Sequence, residues 1–443
     1  MTFGCQMNHS DSERLTTLLE SYGYEKTDDM EGCELLVFNT CSIKQKAEDK
    51  VLGHMRKVRD LKKRNPKMLA AITGCMTRLT SSQANEKRDR LLKDLPMIDF
   101  VFQIKDLPQI GRLLKESQPG ISLNEMGAAD LGSYFKIQPK YATSFQAYLP
   151  IMTGCDKFCT YCIVPYARGR EMSRSIDEIY NEAVKLVDDG CIEITLLGQN
   201  VNSYGLSWID KKSGKFDQDS PPFVQLLKKL DSIEGLKRLR FTSPHPQDMT
   251  PDVIDTIADS RTLMPYLHLP LQAGSDEVLR KMNRNYTVEK FMETVKYIRK
   301  RMPDCSITTD MIVGFCGETD EEFDQTCDLF EEVGFDLAYI SKFSERRGTI
   351  AEKLMTDDVP PEVKAKRWHR LNDILRETSR ARCKFFEGKV VNVLVEGTKN
   401  GGLVGRSEHY KEVQFQGSED LIGQIIPVKI TQADAWMLNG ELV

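Results

Sequence analysis

The chain has 443 residues, of which 40% are hydrophobic and 29% charged, and its formal net charge is −5 at pH 7. This length exceeds what one hydrophobic core usually holds, so we expect two to three domains. No apolar run approaches the roughly 20 residues that cross a bilayer, and no signal peptide opens the chain, so we predict a cytoplasmic protein with no membrane contact. The 12 cysteines then indicate metal or redox chemistry rather than a disulfide framework.

Residues 1–120 are predicted to form an α/β domain with a parallel sheet, because short apolar runs alternate with helix-periodic polar stretches. The strand-like runs are Leu35–Phe38, Met68–Ile72 and Ile98–Phe102. The residues at helical spacing between the first two runs are Val51, Met55, Val58 and Leu61. The chain begins at the end of what resembles a first strand, so we expect that a few N-terminal residues are missing.

Residues 121–144 have little periodicity and contain Gly127 and Gly132, which predicts a linker. A regular alternation of strands and helices follows. The expected strands are 147–153, 192–197, 236–242, 266–270, 306–313 and 337–343. The expected helices are 175–189, 222–233, 251–259, 288–301, 320–333 and a stretch after 360. Six βα units fall short of the usual eight, so we predict a partial TIM barrel with a trailing helix over residues 145–385, open at one side to a large substrate.

Residues 386–443 change to an all-β pattern between Gly-rich turns. The expected strands are Val390–Val395, Leu403–Arg406, Glu412–Phe415, Ile425–Ile430 and Trp436–Leu442. Five short strands in a segment of this length predict a small OB-like β-barrel. Such a barrel is a frequent nucleic-acid platform, and it also occurs as a structural cap.

The most specific chemical signal is the CxxxCxxC formed by Cys155, Cys159 and Cys162 directly after the first predicted barrel strand. Three thiolates hold three irons of a [4Fe–4S] cluster and leave the fourth iron open to a substrate. The motif lies at the carboxyl mouth, where barrel active sites form. A structural zinc site would need a fourth ligand, which is not nearby, and a ferredoxin run has a different spacing.

A second set consists of Cys5, Cys41 and Cys75, each of which follows a predicted parallel strand. Because the carboxyl ends of parallel strands share one edge of a sheet, these cysteines are expected to converge in space. Gly or Thr precedes each of them and polar residues follow, which favours loops and a second three-cysteine cluster. The alternative is three buried structural cysteines.

Basic residues cluster locally in spite of the negative net charge. The clusters are Lys237-Arg238-Arg240, Arg280-Lys281-Arg284, Arg299-Lys300-Arg301, Arg346-Arg347 and Lys364-Lys366-Arg367. Each of them alone is most simply a solvated helix face. Only their convergence on one surface would indicate an RNA-binding site.

Together these features resemble the methylthiotransferases of the radical S-adenosylmethionine superfamily. The CxxxCxxC with an aromatic residue, Tyr161, before its third cysteine is similar to the superfamily signature. Further segments resemble the MiaB type, which makes 2-methylthio-N(6)-isopentenyladenosine in tRNA. They are Gly-Cys-Gln-Met-Asn at 4–8, Leu-Leu-Gly-Gln-Asn-Val-Asn-Ser-Tyr at 196–204, His-Leu-Pro-Leu-Gln-Ala-Gly-Ser at 268–275, Met-Asn-Arg-Asn-Tyr-Thr at 282–287 and Ile-Val-Gly-Phe-Cys-Gly-Glu-Thr at 312–319. The C-terminal barrel resembles the TRAM module of that family, which is associated with RNA binding.

The resemblance implies two [4Fe–4S] clusters and S-adenosylmethionine as cosubstrate. It implies that the CxxxCxxC site produces a 5′-deoxyadenosyl radical, while the other three cysteines hold the sulfur. One S-adenosylmethionine would methylate this sulfur, and the radical made from a second would remove hydrogen from carbon two of the adenine before the methylthio group transfers. The implied partners are a tRNA anticodon stem-loop and an electron donor such as flavodoxin or ferredoxin, and the chain is expected to be a monomer.

Residues near the cluster and at the neighbouring strand ends are expected to bind the cosubstrate. They are Tyr161, Gly198, Gln199, Gln272, Asp310 and Arg174. Arg168 and Arg170 are expected to pair with the cosubstrate carboxylate or with RNA phosphate. For each of these residues the alternative is an ordinary polar contact at a barrel mouth.

Other functions remain consistent with the sequence. One is a related methylthiotransferase that acts on threonylcarbamoyl-adenosine in tRNA or on an aspartate of a ribosomal protein. Another is a non-catalytic iron–sulfur protein that binds RNA. Clusters held by four cysteines would favour the latter, whereas this chain offers two sets of three.

Overall fold

The structure, a computed structural model, describes residues 1–41, 45–77, 95–124, 134–206 and 221–443. The predicted linker glycines Gly127 and Gly132 lie outside these ranges. Within them, no helix combines the length and the apolar character needed to cross a membrane.

The N-terminal part of the chain forms a parallel sheet with the strand order β1-β2-β3-β4. The strands are β1 (Thr2–Phe3), β2 (Leu35–Thr40), β3 (Leu69–Gly74) and β4 (Phe100–Val101). The helices are α1 (Gln6–Ser21), α2 (Gln45–Arg64) and α3 (Ile110–Ser117). Two separate apolar clusters bury the sheet. One contains Leu18 and Phe102, and the other contains Phe38 and Ile72. This burial explains why β2 and β3 are continuous apolar runs.

In the described chain, six parallel strands follow in two groups, β5-β8-β9 and β10-β11-β12. They are β5 (Gln146–Pro150), β8 (Glu193–Leu197), β9 (Arg238–Phe241), β10 (Tyr266–His268), β11 (Ser306–Val313) and β12 (Leu337–Lys342). The two groups join where Leu239 bridges Leu263, and the Leu239 amide donates to the Thr262 carbonyl at 2.8 Å. No pairing joins β5 to β12 among the described residues. The predicted six-unit partial barrel is confirmed.

Helices connect and cover these strands. They are α4 (Val164–Arg168), α5 (Ile176–Asp188), α6 (Pro222–Asp231), α7 (Pro251–Ala258), α8 (Asp276–Lys281), α9 (Val288–Arg301), α10 (Asp320–Val333), α11 (Ile350–Leu354) and α12 (Pro361–Lys384). Ser175 and Thr319 start α5 and α10 with capping boxes, which satisfy the first backbone N–H groups. The sequence did not predict the short helices α4, α8 and α11. It also did not predict a hairpin, which β6 (Met152–Thr153) forms with β7 (Met172–Ser173).

The C-terminal segment forms a closed barrel with the order β13-β14-β15-β17-β16. Its strands are β13 (Val390–Lys399), β14 (Gly402–Ser407), β15 (Glu412–Phe415), β16 (Ile425–Ala433) and β17 (Met437–Leu442). Val393, Val413 and Leu438 are fully buried inside it, since alternate residues of each strand point inward. The predicted small β-barrel is confirmed.

This C-terminal barrel covers the starts of the partial-barrel strands. Arg238 at the start of β9 donates to the Asn392 carbonyl at 2.7 Å, and Arg240 donates to the Ser407 carbonyl at 3.0 Å. Glu193 at the start of β8 lies 3.1 Å from Arg240. Both arginines are at most 4% exposed. The prediction of a solvated face for this basic cluster is therefore wrong, because a second domain buries it.

Further contacts place the C-terminal barrel at the same end. Tyr410 stacks on Tyr266 at the start of β10, with ring centroids 4.6 Å apart. Lys411 lies 2.7 Å from Asp336, directly before β12. The carboxyl ends of the six strands therefore lie at the opposite end, away from the C-terminal barrel.

Candidate active site

Cys5, Cys41 and Cys75 lie at the carboxyl ends of three adjacent strands. Cys5 follows β1 and caps helix α1, and Cys41 directly follows β2. Cys75 begins a 3₁₀ turn, Cys75–Thr77, directly after β3. The Cys41 thiol hydrogen-bonds with those of both Cys5 and Cys75. One edge of the N-terminal sheet thus brings the three thiols together.

The backbone around these thiols is tightly packed. Asn8 donates to Asn39 Oδ1 at 2.8 Å, and the Cys5 thiol donates to Asn8 Oδ1 at 3.3 Å. Gly74 has φ +90°, and a Cβ there would lie 2.4 Å from the Thr40 carbonyl oxygen. Only glycine fits at position 74, because the backbone there has a left-handed conformation and touches the neighbouring strand β2.

The charges around this site favour thiolates. The hydrogen bond to Cys41 and the positive charge of Arg168 lower the pKa of Cys5 to about 6, against the effect of burial. The same two partners lower the pKa of Cys75 to about 7. These hydrogen bonds and burial raise the pKa of Cys41 instead. The N-terminus of α1 adds partial positive charge beside Cys5. Cys5 and Cys75 therefore have the thiolate character that binds iron, whereas Cys41 is the hydrogen-bonding thiol between them.

Arg168, at the end of α4, reaches this site from the partial barrel. Its side chain is 4% exposed, and its Nη2 donates to Asp11 Oδ2 at 2.6 Å. The other Asp11 oxygen accepts a hydrogen bond from the Tyr134 hydroxyl at 2.7 Å. Arg168 Nη1 is buried and makes no hydrogen bond within the described ranges. A fixed guanidinium thus lies close to Cys5 and within hydrogen-bonding reach of Cys75.

The second cysteine set lies on the loop 155–162, which follows β6 at the carboxyl end of the first barrel strand. Its cysteines are Cys155, Cys159 and Cys162. The preceding Gly154 has φ +81°, and a Cβ there would lie 2.1 Å from the Arg170 carbonyl oxygen. The Cys155 amide donates to the Gly169 carbonyl at 3.1 Å. The segment 169–170 therefore holds the start of the loop.

The thiols of this loop are buried. Burial raises the pKa of Cys155 to about 12 and the pKa of Cys162 above its usual range. Arg284 Nη1 donates to Cys159 Sγ at 3.6 Å, and its Nε donates to the Tyr286 hydroxyl oxygen at 2.9 Å. Arg284 was expected to belong to a solvated basic helix face, and this is wrong, because the side chain is buried against the cysteine loop. Iron binding here would displace the thiol protons.

The end of β8 carries two buried oxygens that lack donors. Gln199 Oε1 and Asn200 Oδ1 accept no hydrogen bond from the described residues. A Cβ on Gly198 would lie 2.8 Å from Met152 Cγ, so the backbone approaches its neighbour closely there. Buried polar atoms are almost always paired, so these two oxygens fit a ligand that brings N–H or O–H groups.

Three other predicted ligands lie around the same mouth. Gln272 follows β10 with φ +78°, and its amide donates to the Asp310 carbonyl at 2.9 Å. The Asp310 carboxylate is 41% exposed and lies 3.4 Å from His268 Nε2. Tyr161 packs edge-on against Phe315, with ring centroids 6.5 Å apart. Gln272, after β10, and Asp310, on β11, are thus adjacent, while Tyr161 lies on loop 155–162 itself.

Arg174 and Arg170 are engaged in other contacts. Arg174 lies 2.5 Å from Glu182, which is also 3.5 Å from Arg14 of α1. Arg174 therefore belongs to a buried contact between the N-terminal domain and the partial barrel, and its Nη1 also donates to the Pro150 carbonyl at the end of β5 at 3.1 Å. Arg170 donates to Asp156 at 2.6 Å and supports the cysteine loop. Sequence periodicity gave no signal for these interdomain partners.

The two cysteine sets are neighbours in space. Helix α4 follows Cys162 closely and packs on the 3₁₀ turn that begins at Cys75. The negative charge of the Cys75 thiolate contributes to the raised pKa of Cys162. The N-terminal sheet edge therefore lies over the barrel mouth.

Each set offers three sulfur donors and lacks a fourth. Structural zinc takes four ligands at one centre, whereas each set supplies three thiols. Three thiols beside arginine side chains instead fit a larger anionic group such as an iron–sulfur cluster.

Three family models match the chain. The Radical SAM superfamily covers residues 149–330, which contain the loop 155–162. The Uncharacterized protein family UPF0004 covers residues 1–103, which contain the other three cysteines. The TRAM domain covers residues 384–443, the C-terminal barrel.

Curated relatives match along the full chain. A tRNA-2-methylthio-N(6)-dimethylallyladenosine synthase of Clostridium botulinum (strain Alaska E43 / Type E3) is 40% identical, over 100% of this chain and 94% of the relative. A synthase of the same name from Clostridium perfringens (strain 13 / Type A) is 41% identical, over 100% and 96%.

A solved structure shares the fold. The radical S-adenosylmethionine methyltransferase TsrM from Kitasatospora setae superposes with a TM-score of 0.53 at 16% identity. The alignment covers 75% of this chain and 70% of that chain. The common fold agrees with the placement of loop 155–162 at a barrel mouth.

Proposed function

Because the chain belongs to the radical S-adenosylmethionine methylthiotransferases of the tRNA-2-methylthio-N(6)-dimethylallyladenosine synthase type, we propose how its residues divide that reaction. It is an enzyme that transfers a methylthio group to carbon two of N(6)-isopentenyladenosine next to the anticodon in tRNA. The family uses S-adenosylmethionine and a [4Fe–4S] cluster. The proposal is carried by one observation: the two three-cysteine sets lie next to each other, because helix α4 packs on the 3₁₀ turn that begins at Cys75.

Each cysteine set has its own task. Cys155, Cys159 and Cys162 would hold the cluster of the radical step, and Cys5, Cys41 and Cys75 would hold a second [4Fe–4S] cluster. When bound, the first cluster would pass an electron to the sulfonium of S-adenosylmethionine, and the second would hold the sulfur to be transferred. The thiolate character of Cys5 and Cys75 supports the second assignment.

The strand ends would bind the cosubstrate between the two sets. Gln199 and its neighbour Gly198 would receive the methionine moiety, because Gln199 Oε1 is buried without a donor in the described chain. Gln272 and Asp310 border the same space, and Tyr161 would flank the adenine. Arg174 is left out of this assignment, since it pairs with Glu182.

The domains would divide the work by position. Residues 1–120 would supply the sulfur, 145–385 the radical and 386–443 a contact to tRNA, with 121–144 as a linker. The substrate base lies in a single-stranded loop, which a protein splays into a pocket at lower cost than a paired base. We place the reaction in the cytoplasm, with a monomeric enzyme and flavodoxin or ferredoxin as electron donor.

The test uses the reconstituted enzyme, S-adenosylmethionine, a reductant and an anticodon stem-loop that carries isopentenyladenosine. The expected product is the same nucleoside with the mass of a methylthio group added. Cys159→Ala should abolish both this product and 5′-deoxyadenosine, because one ligand of the radical site is lost. Parallel reactions use threonylcarbamoyl-adenosine RNA and an aspartate-containing ribosomal peptide. Modification of either one, without modification of the isopentenyl RNA, would overturn the proposal.

A further inference from the structure

We propose that Arg168 positions the sulfur to be transferred, by donating a hydrogen bond from Nη1 to a sulfur atom held at the Cys5–Cys41–Cys75 site. The inference rests on the proposed function, and it names a positioning residue for that reaction. It also gives Arg168 a role different from the carboxylate or phosphate contacts expected from the sequence.

The direction of the guanidinium is fixed. Asp11, whose side chain is fully buried, accepts from Arg168 Nη2 at 2.6 Å. Tyr134 holds the other Asp11 oxygen at 2.7 Å, so the carboxylate cannot rotate away without losing a buried hydrogen bond. With Nη2 anchored in this way, Nη1 is left for another acceptor.

The Cys75 thiol is the described group that the Arg168 side chain reaches for a hydrogen bond. Arg168 Nη1 itself is buried and has no well-aligned acceptor within the described residues. Other buried arginines of the described chain, Arg174 among them, also have a nitrogen without a hydrogen bond, but Arg168 differs from Arg174 because its charge acts on the thiols of Cys5 and Cys75. The nearby groups on which the Arg168 charge acts are the thiols of Cys5 and Cys75, so the missing acceptor belongs to whatever these thiols hold.

The origin of Arg168 makes this contact useful for the reaction. It lies at the end of α4, the helix that follows the second cysteine loop, and it crosses to the N-terminal domain. A sulfur bound to Arg168 is therefore placed relative to the partial barrel, where the cosubstrate would lie. Correct placement of reacting atoms is a large part of catalysis, and small displacements are costly.

The competing explanation is that Arg168 only ties the two domains together. Arg174 provides the matched control, because it is a buried arginine at the same domain junction that pairs with Glu182 and not with the cysteine sites. A purely structural role predicts the same outcome for both arginines. A positioning role predicts effects at the sulfur site for Arg168 alone.

The experiment uses the full chain with Cys155, Cys159 and Cys162 replaced by alanine, so that iron–sulfur signals report on the N-terminal site. This background is reconstituted with labelled sulfide alone and in combination with Arg168→Gln, Arg168→Lys or Arg174→Gln. Two quantities are measured, the rate of sulfide release and the reduction potential of the cluster.

Arg168→Gln should release labelled sulfide about tenfold faster, because a charge-assisted hydrogen bond is lost. Its potential should become more negative, because a positive charge near the cluster is removed. Arg168→Lys should keep the potential near that of the parent but still release sulfide faster, since lysine restores the charge and not the fork of donors. Arg174→Gln should leave both quantities at the parent values.

Unchanged release and potential in both Arg168 variants would overturn the inference, as would an equal effect of Arg174→Gln. Arg168→Lys keeps the test decisive if Arg168→Gln fails to fold. The proposed function fails separately, if the unmodified enzyme makes no methylthio product from the isopentenyl stem-loop.

Discussion

At the scale of single residues, the sulfur site depends on a glycine as much as on its cysteines. Gly74 precedes Cys75 with φ +90°, and the Thr40 carbonyl lies where a side chain would begin. The left-handed backbone turns the chain from β3 into the 3₁₀ turn and so aims Cys75 at Cys41. A Cβ at this position would therefore disturb both the strand pairing and the thiol set.

We predict that Gly74→Ala lowers the free energy of unfolding by about 2 to 4 kcal/mol, from left-handed strain and the clash with backbone. It should also reduce the iron bound by the N-terminal site. Gly53→Ala is the control, because Gly53 lies within α2 with open space around its Cβ position. This control should be stabilised by about 1 kcal/mol. Urea unfolding followed by circular dichroism measures both variants, and equal stability for the two would contradict the account.

The residues of the site divide into those that spacing reveals and those that it does not. Cys155, Cys159 and Cys162 were selected by their CxxxCxxC spacing, and the other three cysteines because each follows a predicted strand; both are local patterns. Asp11 was not selected and Arg284 was assigned to a solvated face, since each acts on a partner far away in sequence. Arg238 and Arg240 illustrate the same limit, because a charge run carries no sign that another domain will cover it.

At the scale of elements, the hairpin of β14 and β15 holds the C-terminal barrel on the starts of the barrel strands. Asp336 is the centre of this contact, since it lies 2.7 Å from Lys411 and 3.4 Å from Arg382. Burial raises the pKa of this carboxyl, but the charges of Lys411 and Arg382 outweigh burial and hold the pKa below its usual range. The carboxylate therefore stabilises the interface only while it is ionised.

We predict that Asp336→Asn costs about 3 to 5 kcal/mol, because it leaves buried cations without their partner. The pKa of Asp336 is lower in the folded than in the unfolded chain. Its contribution to the free energy of unfolding is therefore complete above the unfolded pKa of about 3.9, and it is lost as the pH falls through the folded pKa. The acid-side loss of stability should therefore be smaller in the variant. Thermal unfolding from pH 3 to 7 measures this.

Asp324→Asn, which breaks an exposed pair with Arg370, should cost less than about 1 kcal/mol. Equal costs for the two variants would contradict the assignment.

The long elements were predictable from sequence and the short ones were not. Strands such as β11 and helices such as α9 and α10 have clear periods and defined caps, and their bounds match the expectation closely. Helices α4 and α11 have five residues each, which is less than two turns, so no period can establish them. Yet α4 carries Arg168 and contacts both cysteine sets.

At the scale of the whole molecule, the two ends of the partial barrel have different tasks. Both cysteine sets lie at the carboxyl ends of the strands, whereas the C-terminal barrel covers the strand starts. Strands of five or six residues, such as β5, β8 and β12, are about 17 to 20 Å long, and they separate the two ends. Any RNA contact by the C-terminal barrel therefore lies away from the reacting base. The sequence predicted both barrels but not this placement, which long-range ion pairs establish.

The central claim is that the chain holds two clusters on two sets of three cysteines. The most direct measurement is the iron and sulfide content of the anaerobically reconstituted full chain and of two variants, each with one set of three cysteines replaced by alanine. We predict about eight irons per unmodified chain and about four in each variant, since each set holds one [4Fe–4S] cluster. About four irons in the unmodified chain, or an undiminished content in either variant, would contradict the account.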